Sequence, residues 1–203
     1  MERKMGLKMG RRNLLKLGAA ALTVVSTNIF TKSANANSKS KDNMMDERTK
    51  KTNAIAEIIK LKNTYIHYND SGFQAQKIGE LFIENGVWDG GVFGRYEGRQ
   101  KIIDFFSNLS GGVPFSCHLI SNEIIDVNGD KADGRWRLLL IANLIGEDGV
   151  VGSRWYIGDY KDVFVKKNGV WMFESLNVFW NLDVKQGDDW SNQGKIRLEG
   201  TNL

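Results

Sequence analysis

The chain has 203 residues, with 28 Lys/Arg against 24 Asp/Glu and a formal charge of +4. That excess is local: seven of the 28 basic residues and one of the 24 acidic residues lie in 1–36, so 21 and 23 remain beyond and the remainder is slightly acidic. A remainder without positive excess offers no composition-level case for a nucleic-acid partner, and one cysteine, Cys117, excludes an internal disulfide.

Residues 1–36 read as an export signal. Arg11-Arg12-Asn13-Leu14-Leu15-Lys16 resembles the twin-arginine signature, a weakly apolar run follows from Leu17 to Phe30, and Ala34-Asn35-Ala36 is a small-x-small cleavage site. The run is too short and too polar to span a membrane, which needs around 20 apolar residues. The expectation is a periplasmic or secreted protein with no membrane anchor after cleavage. Residues 37–50 are predicted to be a polar linker, 51–182 a single folded domain with a real core, and 183–203 a polar tail around Trp190.

The domain opens with a helical pattern from Lys51 to Asn69. With Ile58 at zero on a wheel turning about 100° per residue, Ile55, Ile59, Leu61, Tyr65 and Ile66 share one arc. Lys62 falls inside that arc and is expected to snorkel to the surface. Asp70 sits at the edge of the arc, so the apolar face ends in a carboxylate. Burying an unpaired carboxylate is costly, so Asp70 calls for a partner, and His118 is of suitable type. The wheel leaves a second reading open, in which Asp70 ends the helix in solvent ahead of Ser71-Gly72. His67, the other histidine, falls on the opposite side and is expected to face water.

A short helix over Gln74–Leu81 follows, then a turn at Asn85-Gly86 and a short extended piece at Val87-Trp88. Gly90 to Gly98 reads as a glycine-rich loop without the spacing of a phosphate-binding one. Arg99 to Asn108 is an amphipathic helix with Ile102, Ile103 and Phe106 on one face. Four strands then follow, at about Ser116–Val127, Ala132–Ile145, Arg154–Lys167 and Val170–Trp180. They are separated by Asn128-Gly129, Gly146-Glu147-Asp148-Gly149 and Asn168-Gly169. Helices before an antiparallel meander make the fold α+β. Strands of this length coil, and helices can close the concave side over a pocket. Trp88, Trp136, Tyr156, Tyr160, Trp171 and Phe173 are candidate pocket walls. Cys117 neighbours His118, but adjacent side chains on a strand point to opposite faces, so a buried structural thiol is expected. Two histidines, one facing water, provide no metal-ligand cluster, and no cofactor is expected.

The order of these pieces resembles the SnoaL-like branch of the NTF2-like superfamily. The resemblance rests on Ile58, Leu61, Tyr65 and Asp70; on Leu81-Phe82 leading to Val87-Trp88-Asp89; and on Glu97-Gly98-Arg99 opening a helix. It continues through Cys117-His118-Leu119-Ile120-Ser121-Asn122, Val127-Asn128-Gly129-Asp130-Lys131-Ala132 and Asn168-Gly169-Val170-Trp171. It implies a cone-shaped α+β fold, a strongly curved antiparallel sheet closed by helices over one deep pocket. Within the superfamily the pattern is similar to lyases of the scytalone dehydratase, bile acid 7α-dehydratase and hexachlorocyclohexane dehydrochlorinase types. These share an Asp on the first helix and a His on the first long strand, the places of Asp70 and His118. Tyr65 matches the tyrosine of the bile acid enzyme. The dehydrochlorinase has a lysine there and an arginine near Leu176, which argues against dehalogenation; scytalone dehydratase uses a second sheet histidine, and none follows His118 here.

Histidine moves protons near neutral pH. Asp70 orients the ring and favours imidazolium, and Tyr65 donates to a carbonyl or a leaving hydroxyl. The resemblance thus implies a dehydratase acting on a small apolar or polycyclic carbonyl or hydroxy compound. The alternatives are an isomerase or polyketide-type cyclase in the same pocket, and a non-catalytic binder of small molecules. Apolar residues on both faces of Leu138–Ile145 also predict a homo-oligomer, a dimer or trimer formed sheet to sheet.

Overall fold

A computed structural model of the protein describes residues 12–188, with side chains from residue 41 onward; the start of the predicted signal, Arg11 included, and the tail segment with Trp190 lie outside the described residues. The chain divides into two units, 1–50 and 51–203. In the first, residues expected as a polar linker are helical, part of α1 (Arg12–Asp70), and 41–50 are all exposed. No Gly or Pro interrupts 37–50, so local propensity suffices for a helix there.

The second unit contains the rest of α1 followed by α2 (Ala75–Glu80), β1 (Phe82–Asp89), a 3₁₀ turn (Gly91–Phe93), β2 (Arg95–Glu97) and α3 (Arg99–Leu109). The long strands β3 (Phe115–Asn128), β4 (Lys131–Ile145), β5 (Val151–Lys167) and β6 (Val170–Lys185) complete it. The expected meander is present as β3 to β6, each strand antiparallel to the next. Asn168 and Gly169 at the last turn both have positive φ, the requirement of a tight hairpin turn.

The sheet has six strands rather than four, in the order β2-β1-β6-β5-β4-β3. β1 lies parallel to β6, and the stretch expected as plain loop contains β2, which pairs antiparallel with β1. Asn85-Gly86, expected as a turn, is a register shift inside β1, between the Phe82 and Val87 pairings. Its dipeptide chemistry suits a bulge as well as a turn. Further shifts occur in β3 between Ser121 and Ile124, where Asn122 has φ 58°, and between β5 and β6. Such bulges bend strands and increase their twist, which gives the sheet a concave face.

Burial alternates along β4: Ala132, Gly134, Trp136, Leu138, Leu140 and Ala142 are buried while their neighbours are not. The inner face of β5 continues this with Tyr156, Tyr160 and Phe164. On α1 the buried stripe is Ala54, Ile58, Lys62, Tyr65, Ile66 and Asn69. Its centre is displaced from the apolar arc of the wheel: Ile55 and Ile59 are only half-buried, and Lys62 lies in the middle. Lys62 does not snorkel. It has no exposed surface, and its Nζ donates to Asp162 Oδ2 on β5 at 2.7 Å, itself without side-chain exposure. A chain-distant carboxylate, invisible to the helical wheel, makes the buried lysine tolerable. Burial pushes the Lys62 ammonium down to about 8 and the Asp162 carboxyl above its ordinary range, each charge opposing the other's shift.

The expected cost of breaking this pair is large. Asp162→Ala alone should lose about 3–5 kcal/mol of folding stability, while Lys62→Met together with Asp162→Leu should recover most of it. Urea unfolding followed by tryptophan fluorescence measures both.

Candidate functional site

α1 ends beside β3. Asp70 is its last residue, and His118 stands near the start of β3 on the inner face, opposite Leu140 of β4. Asp70 Oδ1 is 2.6 Å from His118 Nδ1 and accepts the Ser116 hydroxyl at 3.2 Å; Oδ2 accepts the His118 backbone N–H at 2.9 Å. Two residues of one strand thus fix both carboxylate oxygens. The His118 side chain is 9% exposed and that of Asp70 26%. A carboxylate against Nδ1 assigns the proton of the neutral ring to Nδ1, which leaves the Nε2 lone pair available.

Tyr65 is buried, with its ring edge-on to Phe82, Phe106 and Phe173. Its hydroxyl accepts Trp88 Nε1–H at 2.8 Å. Indole nitrogen only donates, so Tyr65 keeps its own O–H for another acceptor. Burial pushes the Tyr65 phenol up, partly offset by the Trp88 hydrogen bond, so it stays protonated as a donor. One turn further, Asn69 Nδ2 donates to the Tyr65 carbonyl oxygen at 2.7 Å.

These groups meet in one partly open cavity. Tyr65, Asn69, Ser116, His118, Tyr156 and Tyr160 are the lining residues with polar side-chain groups suited to a ligand, and the remaining wall is mainly aromatic and aliphatic. Of the candidate walls, Trp88, Tyr156 and Tyr160 line it. Trp136 and Phe173 do not: the Trp136 ring faces Phe164 and Lys62, and Phe173 packs between Phe82 and Phe164. Both lie on the inner face, but at the level where side chains fill the space between α1 and the sheet. Strand alternation reports the face of a residue, not its level. Trp171 is likewise outside the cavity, with Lys166 over its ring. His67 is exposed, as expected, and Cys117 is half-buried rather than buried.

The sequence reading missed Asn69, Phe93, Phe105, Leu140 and Trp180, which also line the cavity. Asn69 was accessible, since the same wheel puts it near the middle of the buried arc. Phe93 and Trp180 were not, because their meeting depends on the parallel pairing that sets β1 and its following turn beside β6. There Phe93 packs against Tyr156 and Trp180, and Trp180 Nε1–H donates to the Gly90 carbonyl at 2.8 Å.

A curled α+β sheet closed by helices defines an NTF2-like fold. The chain belongs to the SnoaL-like domain family, whose model matches residues 50–177. A scytalone dehydratase-like protein from Novosphingobium aromaticivorans is similar at 19% identity and TM-score 0.60, over 68% of this chain and 91% of that one. A type 3 hexachlorocyclohexane dehydrochlorinase from Novosphingobium barchaimii is similar at 21% identity and TM-score 0.61, over 68% and 94%. At these identities the likeness concerns the fold. No curated protein matches the chain.

The Trp88–Tyr65 contact has a measurable consequence. Tyr65→Phe leaves a buried indole N–H unpaired and should cost about 1–3 kcal/mol. Tyr65→Phe with Trp88→Phe should cost less than the two single changes added together, read as a double-mutant cycle in urea.

Proposed function

We propose that the protein is a cofactor-independent acid–base lyase, a dehydratase of small apolar or polycyclic β-hydroxy carbonyl compounds. The observation that carries this reading is the Asp70–His118 pair at 2.6 Å, facing an apolar cavity that also receives the Tyr65 side chain. His118 Nε2 takes a proton from the carbon beside the substrate carbonyl, and Asp70 stabilises the imidazolium that forms. Tyr65 donates to the carbonyl oxygen as negative charge develops on it. The β C–O bond then breaks, the carbon–carbon double bond forms, and the imidazolium returns its proton to the departing hydroxyl, releasing water. The apolar wall suits a substrate recognised by shape, with few polar contacts to orient it.

Purified protein incubated with candidate β-hydroxy ketones should yield products lighter by one water in mass spectrometry. His118→Ala should abolish turnover, and Asp70→Asn should reduce kcat by about 10²–10⁴-fold, the range of acid–base catalysis, with ligand binding largely kept. Tyr65→Phe should reduce kcat partially, and His67→Ala should have little effect. A product of unchanged mass would assign the cavity to an isomerase or cyclase instead. Ligand returned unaltered, with affinity insensitive to His118→Ala, would assign it to a binding protein.

The outer sheet face supports self-association as part of the same reading. Leu119 is 54% exposed and pairs across to Leu139, while Cys117 pairs to Ile141, so apolar side chains from two strands lie side by side away from the cavity. A homodimer or homotrimer formed through this face should sediment above monomer mass at micromolar concentration, and Leu139→Lys should shift it toward monomer. Export by the twin-arginine-like leader completes the reading with a periplasmic or secreted location.

A further inference from the structure

One buried cation beside the cavity is left unused by the Asp70–His118 chemistry. Lys62 Nζ lies 3.1 Å from the centroid of the Tyr160 ring and 5.3 Å from that of Tyr65. Both rings line the cavity; the lysine stands behind them. Asp162 holds the ammonium through Oδ2 at 2.7 Å, and its Oδ1 accepts the Asn177 backbone N–H at 3.2 Å. The carboxylate is therefore anchored between β5 and β6, while the ammonium presses against aromatic faces.

Tyr160 differs from Tyr65 in one respect. It is 2% exposed, yet its hydroxyl has no hydrogen-bond partner among the described residues, and it is not among the fully enclosed unpaired atoms. Tyr160 is also one of the residues that line the cavity. A buried hydroxyl with nothing to bond is costly, and such groups in folded proteins are normally completed by water or a ligand. Burial first, then the neighbouring Tyr65, pushes the Tyr160 phenol up, so it meets a ligand as O–H. A cation against the face of a phenol ring draws electron density from the ring and makes that O–H a stronger donor. Lys62 is the group placed to do so.

We propose that Tyr160 is a second hydrogen-bond donor to the ligand oxygen served by Tyr65, and that Lys62, held by Asp162, is the positioning residue that strengthens it. The inference rests on the acid–base reading of the cavity and names what that cavity selects: a ligand oxygen that carries or develops negative charge, as in an enolate or a phenolate. Two tyrosine hydroxyls grip that oxygen, and the buried ammonium acts on it through the Tyr160 ring.

The test uses 4-nitrophenol, coloured as phenolate and nearly colourless as phenol, bound to the whole protein and titrated with pH. The bound probe should ionise at lower pH than the free probe. Tyr160→Phe should raise the apparent pKa of the bound probe by about one unit, a tenfold change in the ionisation equilibrium. Lys62→Met with Asp162→Leu should shift it in the same direction by less, and should add nothing on top of Tyr160→Phe. Equal effects of the pair replacement with and without Tyr160→Phe would overturn the role of Lys62. If the replaced pair does not fold, Tyr160→Phe decides alone, since it keeps the ring and its packing. An unshifted probe in that variant overturns the proposal, as does a wild-type cavity that takes the probe only as neutral phenol or not at all. Absence of dehydration in every substrate, with the probe behaving as expected, would remove the lyase reading and leave this one intact.

Discussion

Lys62 and Asp162, neither with any exposed side-chain surface, fix where α1 crosses the sheet, and the positions of the other site groups follow from that crossing. The pair sets Lys62 over β5. Eight residues later Asp70 meets β3, two strands away in the order β5-β4-β3. Eight helical residues advance about 12 Å, and two strand spacings amount to about 10 Å. The helix must therefore run steeply across the strands, and its end arrives at His118 with little slack. Tyr65 and Asn69 lie between the two anchor points and face the space beneath. An ion pair this deep is a poor source of net stability, because desolvation offsets most of its attraction. Its evident effect is on geometry, since an uncompensated charge in that core would penalise other ways of seating the helix.

The resulting cavity assigns its two tasks to different residues. One side, at the end of α1 and the start of β3, carries the group able to exchange a proton, His118 with Asp70. Tyr65 of α1 and Tyr160 of β5 add phenols that burial keeps protonated. A proton acceptor and hydrogen-bond donors around one apolar space suit reactions that build negative charge at one atom of a ligand while removing a proton from another. Aromatic walls raise the strength of both effects by excluding water. Trp88 links the two tasks structurally: its indole N–H occupies the Tyr65 oxygen, and its ring lies against Phe105 and Phe106 in the wall.

Much of this was legible in the sequence because it depends on local periodicity. The helical wheel ended its apolar face at Asp70 and turned His67 away from it. The turn sequences at Asn128-Gly129, Gly146–Gly149 and Asn168-Gly169 separated β3 to β6, although β6 runs on past the expected end at Trp180 to Lys185. The wheel also contained Asn69, had polar residues been admitted to the buried arc. Lys62 shows the opposite limit. Read locally it is a defect in an apolar face, and the partner that makes it an anchor is 100 positions distant in sequence.

The sequence by itself determined the α+β class, the meander, the helix that ends in Asp70, and the residue types from which proton transfer could be built. Each follows from interactions between residues a few positions apart. Tertiary structure decided the rest: the parallel pairing of β1 with β6, the strand hidden in the glycine-rich stretch, and the burial of Lys62. It also decided that Tyr160 lines the cavity while Trp136 and Phe173 fill the core beside it. These depend on the level at which one element crosses another. That level is set by side-chain packing and long-range pairing summed over the whole sheet, and neither has a signature at helical or strand spacing.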